Sequence, residues 1–365
     1  MIQAEAVAKA LIESDPTCQP QLVPISAAGD TRMGTSRIQD QPLAMTKGVD
    51  FTGALDQALY DGIIDVAVHS LKDIPANHRW LLPVPSGEST RTTTTTTTTT
   101  SATASQKDEC ATHFGMTFPL PREDPADVLL GPYASLHDLP YGCVVGTSSI
   151  RRQAQLRSIC HGQDIQLVNL RGNIDARIQA LQDGTVQALI LAQAGWNRLK
   201  RGTKGNDKEE EEEEDDLGRM HLGIHKLSTI EMVPGLGQGI VTAVVRNQDV
   251  ESSTNYPWPQ HMPSWIAASA ERAFLNTVDP LSPWQGRPPL AGIMEPQLLP
   301  NEDGVTATAV GGWIFRGLLA RPDGSRVLHA SRSIQSSVCS PQEAEALGIQ
   351  VGMDLLDQAG LHFFE

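Results

Sequence analysis

An α/β fold divided into more than one unit is expected of this chain, and three observations predict it. Its 365 residues exceed what one ordinary core holds. Short apolar runs, Ile63 to Val68, Gly142 to Val145 and Ala188 to Leu191, alternate with stretches of helical spacing. That alternation predicts mostly parallel sheets joined by helical crossovers. Finally, the chain is expected to pass between units and back near Pro121 to Asp124 and Pro234 to Gln238, since Pro121, Pro234, Gly235 and Gly237 suit a hinge.

Taken along the chain, the first strand runs through Val66-Ala67-Val68 and ends in His69-Ser70-Leu71-Lys72-Asp73. In an open α/β sheet the carboxyl ends of strands face the ligand crevice, so Lys72 and Asp73 are expected there together. A carboxylate so placed can steady a developing cation or move a proton. An ordinary surface pair is the plain alternative. A second strand, Val144-Val145, runs into Gly146-Thr147-Ser148-Ser149-Ile150-Arg151-Arg152, where hydroxyl residues precede a helix spanning Arg151 to Arg157. Such a helix start binds anions. Asn169-Leu170-Arg171-Gly172-Asn173 and Arg177 follow. Arg151, Arg152, Arg171 and Arg177, on neighbouring turns, suit a ligand with several carboxylates, which guanidinium forks grip bidentately. Pairing with local acids is the competing reading.

The last unit is expected to begin near Ser264, with a helix from Ile266 to Leu275 and strands around Ala307 to Val310 and Arg316 to Ala320. Pro322-Asp323-Gly324-Ser325 reads as a hairpin turn. A final helix, Pro341 to Ala359, carries Ala344, Leu347, Val351, Leu355 and Leu356 at helical spacing, a core-facing stripe.

Composition narrows the function classes. The formal net charge is −15, of which the run Glu209 to Asp216 carries eight, leaving −7. An acidic body with local arginines argues against nucleic-acid binding. The threonine run within Ser89 to Ser101 and the acidic run within Lys208 to Asp216 cannot build a core and are expected to be solvent-exposed loops. No apolar run approaches the roughly 20 residues of a membrane span. Five cysteines show no CxxC spacing, and a reduced compartment fits them. His221 and His225 have the i, i+4 spacing of a helical chelate but adjoin the acidic run and Gly223, so no metal is expected.

Several motifs together resemble the porphobilinogen deaminase (hydroxymethylbilane synthase) family. They are His69 to Pro75, Arg122-Glu123-Asp124-Pro125 with Asp127, Gly146 to Leu156, Leu170 to Arg177, Leu189 to Leu199, Val233 to Gly239, and Ala270-Glu271-Arg272-Ala273-Phe274-Leu275. They stand in family order over nearly the whole chain. The resemblance implies three domains: two doubly wound lobes like those of periplasmic binding proteins, and a small α+β sheet-and-helix domain. The expected boundaries are 1–121 with 238–257, 122–233, and 262–365. It implies stepwise polymerisation of four porphobilinogen units to hydroxymethylbilane in haem and chlorophyll biosynthesis, on a dipyrromethane cofactor. Asp73 would be the catalytic carboxylate. Gln3, Lys47, Ser70, Lys72, Ser149, Arg151, Arg152, Arg171, Arg177 and Arg198 would hold the acetate and propionate side chains. A monomer acting on a small molecule is implied, in the plastid for an algal source and the cytoplasm otherwise.

Three places depart from the family pattern. Val49 to Leu55 inserts a residue and puts Gly53 where a lysine is usual. Met1 to Glu5 resembles the latter half of the opening strand-turn-helix, and the preceding Arg-x-Gly-Thr-Arg segment is absent from the sequence. The loop expected to bear the cofactor-anchoring cysteine, Val278 to Gly292, has none, and Ser282 stands nearest that position. The alternative reading is therefore a non-catalytic or degenerate relative that binds a polycarboxylate or tetrapyrrole.

Overall fold

The computed structural model describes residues 2–26, 52–74, 114–170, 172–203, 223–246, 249, 261–279, 288–300, 307–360 and 362–364. In chain order its elements begin with α1 (Ile2–Ser14), α2 (Gly53–Tyr60), β1 (Ala67–Ser70), β2 (Phe114–Pro119), β3 (Asp127–Leu130) and β4 (Val144–Gly146). Next come α3 (Ile150–Ile159), β5 (Gln166–Val168), α4 (Ile174–Gln182), β6 (Ala188–Ala192), α5 (Gln193–Thr203), β7 (Ile224–Lys226) and β8 (Val241–Arg246). Then α6 (Met262–Val278), β9 (Leu290–Pro300), β10 (Ala307–Ala320), β11 (Val327–Ile334) and α7 (Pro341–Ala359) complete the described chain.

The strands form three sheets, ordered β1-β8-β2, β5-β4-β6-β3-β7 and β11-β10-β9. The expectation of mostly parallel sheets is corrected by this arrangement. Among the described residues only β4 pairs in parallel, with β5 and β6. These three are joined through α3 and α4, the helical crossovers that parallel pairing requires. Elsewhere the chain passes between sheets. β2 leads through residues 120–126 into β3, which lands antiparallel to β6 and β7. β8 returns between β1 and β2, antiparallel to both.

α1 turns Val7 and Leu11, one helical turn apart, onto Phe118, Val241, Val245 and Trp265. The other face of β1 and β8 belongs to a larger core. There Leu59, Leu71, Ile74 and Val244 pack with Phe274, Phe315, Leu347, Val351 and Phe363 from the last unit. The second sheet has its own cores, around Leu129, Val145 and Ile190 on one side and Val128, Leu189 and Trp196 on the other. It meets the third sheet through Ala154, Val233, Leu318 and Ala320.

In the last unit, β10 is one strand from Ala307 to Ala320, not the two expected. The pairing with β9 shifts register between Val310 and Gly312 and resumes beyond it. The turn at Gly324 has φ +72, with Gly324 N donating to Arg321 O at 2.9 Å, as a hairpin turn needs. α7 starts with a reciprocal cap in which Ser340 and Glu343 satisfy each other's backbone N–H. His225 lies in β7 rather than on a helix, so the helical chelate is excluded; His221 is outside the described residues. Among the described residues no helix is long and apolar enough to cross a membrane.

Candidate active site

β1 delivers the site's central turn. Beyond Ser70 the chain makes one turn of 3-10 helix, Leu71–Asp73, pinned by buried Leu71 and Ile74 on either side of Lys72 and exposed Asp73. Leu71 N donates to Ile240 O at 2.9 Å, and Arg272 Nη1 of α6 donates to Ile74 O at 2.8 Å. Gln3 of α1 donates from Nε2 to Ser70 Oγ at 2.8 Å. The loop before β8 closes over this turn. Gly237 has φ +74, and a β-carbon there would come within 2.8 Å of both Leu71 Cγ and Lys72 N. Gly237→Ala is therefore expected to cost about 1–3 kcal/mol through backbone strain and to displace Lys72 and Asp73. A thermal melt with an assay would check it; wild-type values in both would contradict the packing described.

The second sheet supplies the arginines. Ser149 caps α3, its Oγ accepting from Arg152 N at 3.4 Å. Arg151 and Arg152 project from the first turn to Asp127 at the start of β3. Arg151 Nη2 donates to Oδ2 and Arg152 Nη2 to Oδ1, each at 2.8 Å. Arg151 Nη1 also donates to Val233 O, and Arg152 Nη1 to Ile190 O. Both guanidiniums thus have structural partners. Arg152 Nε is buried and meets no acceptor among the described residues. Arg177, on α4, donates from Nε to Gly172 O at 3.0 Å. Arg198, on α5, has Nη1 4.0 Å from Glu123 Oε2.

Electrostatics shows which of these groups gather. Burial pushes the Lys72 ammonium below the ordinary lysine value, Arg152 and Arg198 push it further down, and Asp73 and Asp127 oppose them. Arg177 is likewise lowered, first by burial and then by Arg152. Lys72, in the turn after β1, therefore lies within electrostatic reach of Asp73, of Arg152 on α3 and of Arg198 on α5, and Arg152 lies within reach of Arg177 on α4. Lys47, Arg171 and Ser282 lie outside the described residues.

Burial alone would raise Asp127, but Arg151 and Arg152, with hydrogen bonds from Arg152 and Gln238, hold it down at about 2 against an ordinary 3.8. A carboxylate depressed on folding stabilises fully above its unfolded value, and the stabilisation is lost as pH falls through the folded one. About 2 kcal/mol of stability is expected to disappear between these two values, at about 1.4 kcal/mol per unit. Thermal melts across that window would show the decline, and a flat Tm would contradict the ion pairs.

Asp127, Gln238, Glu271 and Arg122 were not singled out as functional from the sequence, although the structure makes them the buried polar scaffold of the site. A signal existed for two: Asp127 abuts the apolar Val128-Leu129-Leu130, and Glu271, with Arg272, interrupts the apolar Ile266 to Leu275. Charges set into apolar runs are buried only when paired.

A family model described as "Porphobilinogen deaminase, dipyromethane cofactor binding domain" matches residues 1–91 and 101–254. The chain belongs to the porphobilinogen deaminase family. The chloroplastic porphobilinogen deaminase of Pisum sativum is 32% identical over 346 residues, covering 94% of this chain and 73% of the relative. The porphobilinogen deaminase of Syntrophomonas wolfei is 31% identical over 362 residues, covering 98% and 92%. These relatives do not favour the non-catalytic alternative. Among solved structures, the periplasmic aliphatic sulphonate binding protein SsuA of Escherichia coli superposes with a TM-score of 0.34 at 14% identity, over 74% of this chain and 66% of that one.

The donor set fits the dipyrromethane that the deaminase family model names. That molecule carries several carboxylates, and here clustered cations with one unsatisfied buried donor, Arg152 Nε, are available to receive them.

Proposed function

We propose that the chain is a hydroxymethylbilane synthase, joining four porphobilinogen units and releasing one ammonia with each. The observation that carries this reading is membership of the deaminase family along nearly the whole chain. The electrostatic reach of Lys72 to Asp73, Arg152 and Arg198, and of Arg152 to Arg177, supports it. Porphobilinogen bears an acetate, a propionate and an aminomethyl group. Departure of its amine requires a proton and leaves a cationic azafulvene, which the next pyrrole carbon attacks before losing a proton of its own. Asp73, exposed at the end of a rigid turn, is assigned to the pyrrole N–H groups, the balancing of that cation and the proton movements. Bound dipyrromethane supplies the pyrrole terminus that receives the first unit.

Gln3, Lys47, Ser70, Lys72, Ser149, Arg151, Arg152, Arg171, Arg177 and Arg198 are assigned to the carboxylate side chains. The proposed lobes are 1–121 with 238–257 and 122–233, with 262–365 as the domain bearing the anchor loop. The proposed state is a monomer. By likeness to the pea protein, the setting is a plastid in an algal source and the cytoplasm otherwise. The direct test of the reaction is stoichiometric: one ammonia released for each porphobilinogen consumed. Consumption without ammonia, or none at all, would overturn the assignment.

The anchor has its own test. A serine hydroxyl is a far weaker nucleophile than a thiolate. Ser282→Cys is expected to raise turnover and to leave the denatured chain two pyrrole units heavier. Unchanged mass and turnover would place the anchor elsewhere.

A further inference from the structure

The buried carboxylate of Asp127 accepts from three side chains: Arg151, Arg152 and Gln238, each at 2.8 Å. Gln238 lies in the segment returning to β8, yet its Nε2 also reaches Pro125 O at 2.6 Å in the outgoing segment before β3. Its own carbonyl accepts from Arg122 Nε at 2.9 Å. Arg122 is held by Glu271 of α6, with Nη1 2.6 Å from Oε1, and Glu271 also accepts from Met294 N of β9 at 3.1 Å. The contacts run without a break from β9, through both segments joining the first two sheets, to the arginine pair. β9 begins shortly after the segment 280–287, which contains Ser282.

We infer that Asp127 is a positioning residue of the polymerisation, fixing Arg151 and Arg152 for substrate carboxylates, with Gln238 tying that arrangement to the two connecting segments. Two adjacent guanidiniums repel and would splay without a shared counter-ion. Asp127 takes one fork on each oxygen, while the Val233 and Ile190 carbonyls take another donor of each arginine. Orientation is then set by the protein before any ligand arrives, which lowers the ordering cost of binding. Because Gln238 bridges both connecting segments, a displacement of one against the other reaches Asp127 directly. The substrate named here rests on the deaminase reading; the relay rests on the contacts alone.

Asp127→Asn strips the counter-charge from two buried guanidiniums and disturbs the fold together with the site, so the test uses Gln238→Leu in the full-length protein. Porphobilinogen affinity is measured by calorimetry for wild type, Gln238→Leu, Arg152→Gln and the double variant, with circular dichroism confirming the fold. Gln238→Leu is expected to weaken binding about tenfold, the scale of a lost hydrogen bond to a charged group. The loss in the double variant is expected to fall short of the sum of the two single losses, because Gln238 acts through the arginines. Wild-type affinity in Gln238→Leu, or additive losses, would overturn the proposal. If wild type itself binds no porphobilinogen, the functional reading fails separately. The relay is then judged by the arginine Nε–H signals in NMR. Signals of Arg151 and Arg152 that are sharp in wild type and broadened by Gln238→Leu support it, and signals unchanged by the substitution overturn it.

Discussion

Asp73→Ala is expected to abolish turnover, by about 10²–10⁴-fold, the range supplied by a positioned acid-base group. It should leave the fold in place. Leu71 and Ile74 carry the packing of this turn and are buried, whereas Asp73 is exposed, so truncation removes no core volume. Asp73→Asn separates charge from shape: it keeps the volume, cannot balance a cation and is expected to fail nearly as completely. Single-turnover assays with matched melting curves would check both. A variant that turns over at the wild-type rate would remove Asp73 from the mechanism. One that loses activity only as its Tm falls would give it a structural role.

Glu271→Ala should give a large loss of stability for a single change at the site. Glu271 is 1% exposed, and its carboxylate accepts from Arg122 Nη1 and Nη2, Gly237 N and Met294 N. Removing it strands a mostly buried guanidinium and two buried backbone donors. Breaking a buried ion pair by deleting one partner costs about 3–5 kcal/mol. Chemical denaturation would read that loss, and a change under about 1 kcal/mol would show that Arg122 finds another partner. The variant also bears on catalysis, because Gly237 packs against Lys72 N and Glu271 holds Gly237 in place.

What could be read from the sequence, and what could not, follows the range of the interactions. Local signals were sufficient for α7, where the stripe from Ala344 to Leu355 lies within one element. They were sufficient for the start of α3 at Ser149 and for the turn at Gly324. The parallel-sheet expectation failed where pairing depends on distant chain. β8 lies opposite β1 with Ala67 facing Val244, and nothing near Ala67 encodes that partner. At the site, Lys72, Asp73 and the arginines were readable as chemistry. The double hold of Asp127 on Arg151 and Arg152 was not, because it appears only once β3 is set beside β6. The two strands expected within β10 are one for a similar reason: the pairing with β9 continues across the register shift between Val310 and Gly312, and that partner is remote in the chain.

The central claim is that this chain builds a bilane from porphobilinogen on a primer it holds, and native mass spectrometry of the full-length protein incubated with porphobilinogen tests it most directly. The account predicts a species heavier than the polypeptide by two pyrrole units, followed by species rising in one-pyrrole steps as substrate is added. Denaturing spectra of the same sample would report whether the pair is covalent. A chain that stays at the polypeptide mass throughout, with porphobilinogen unconsumed, would contradict the account.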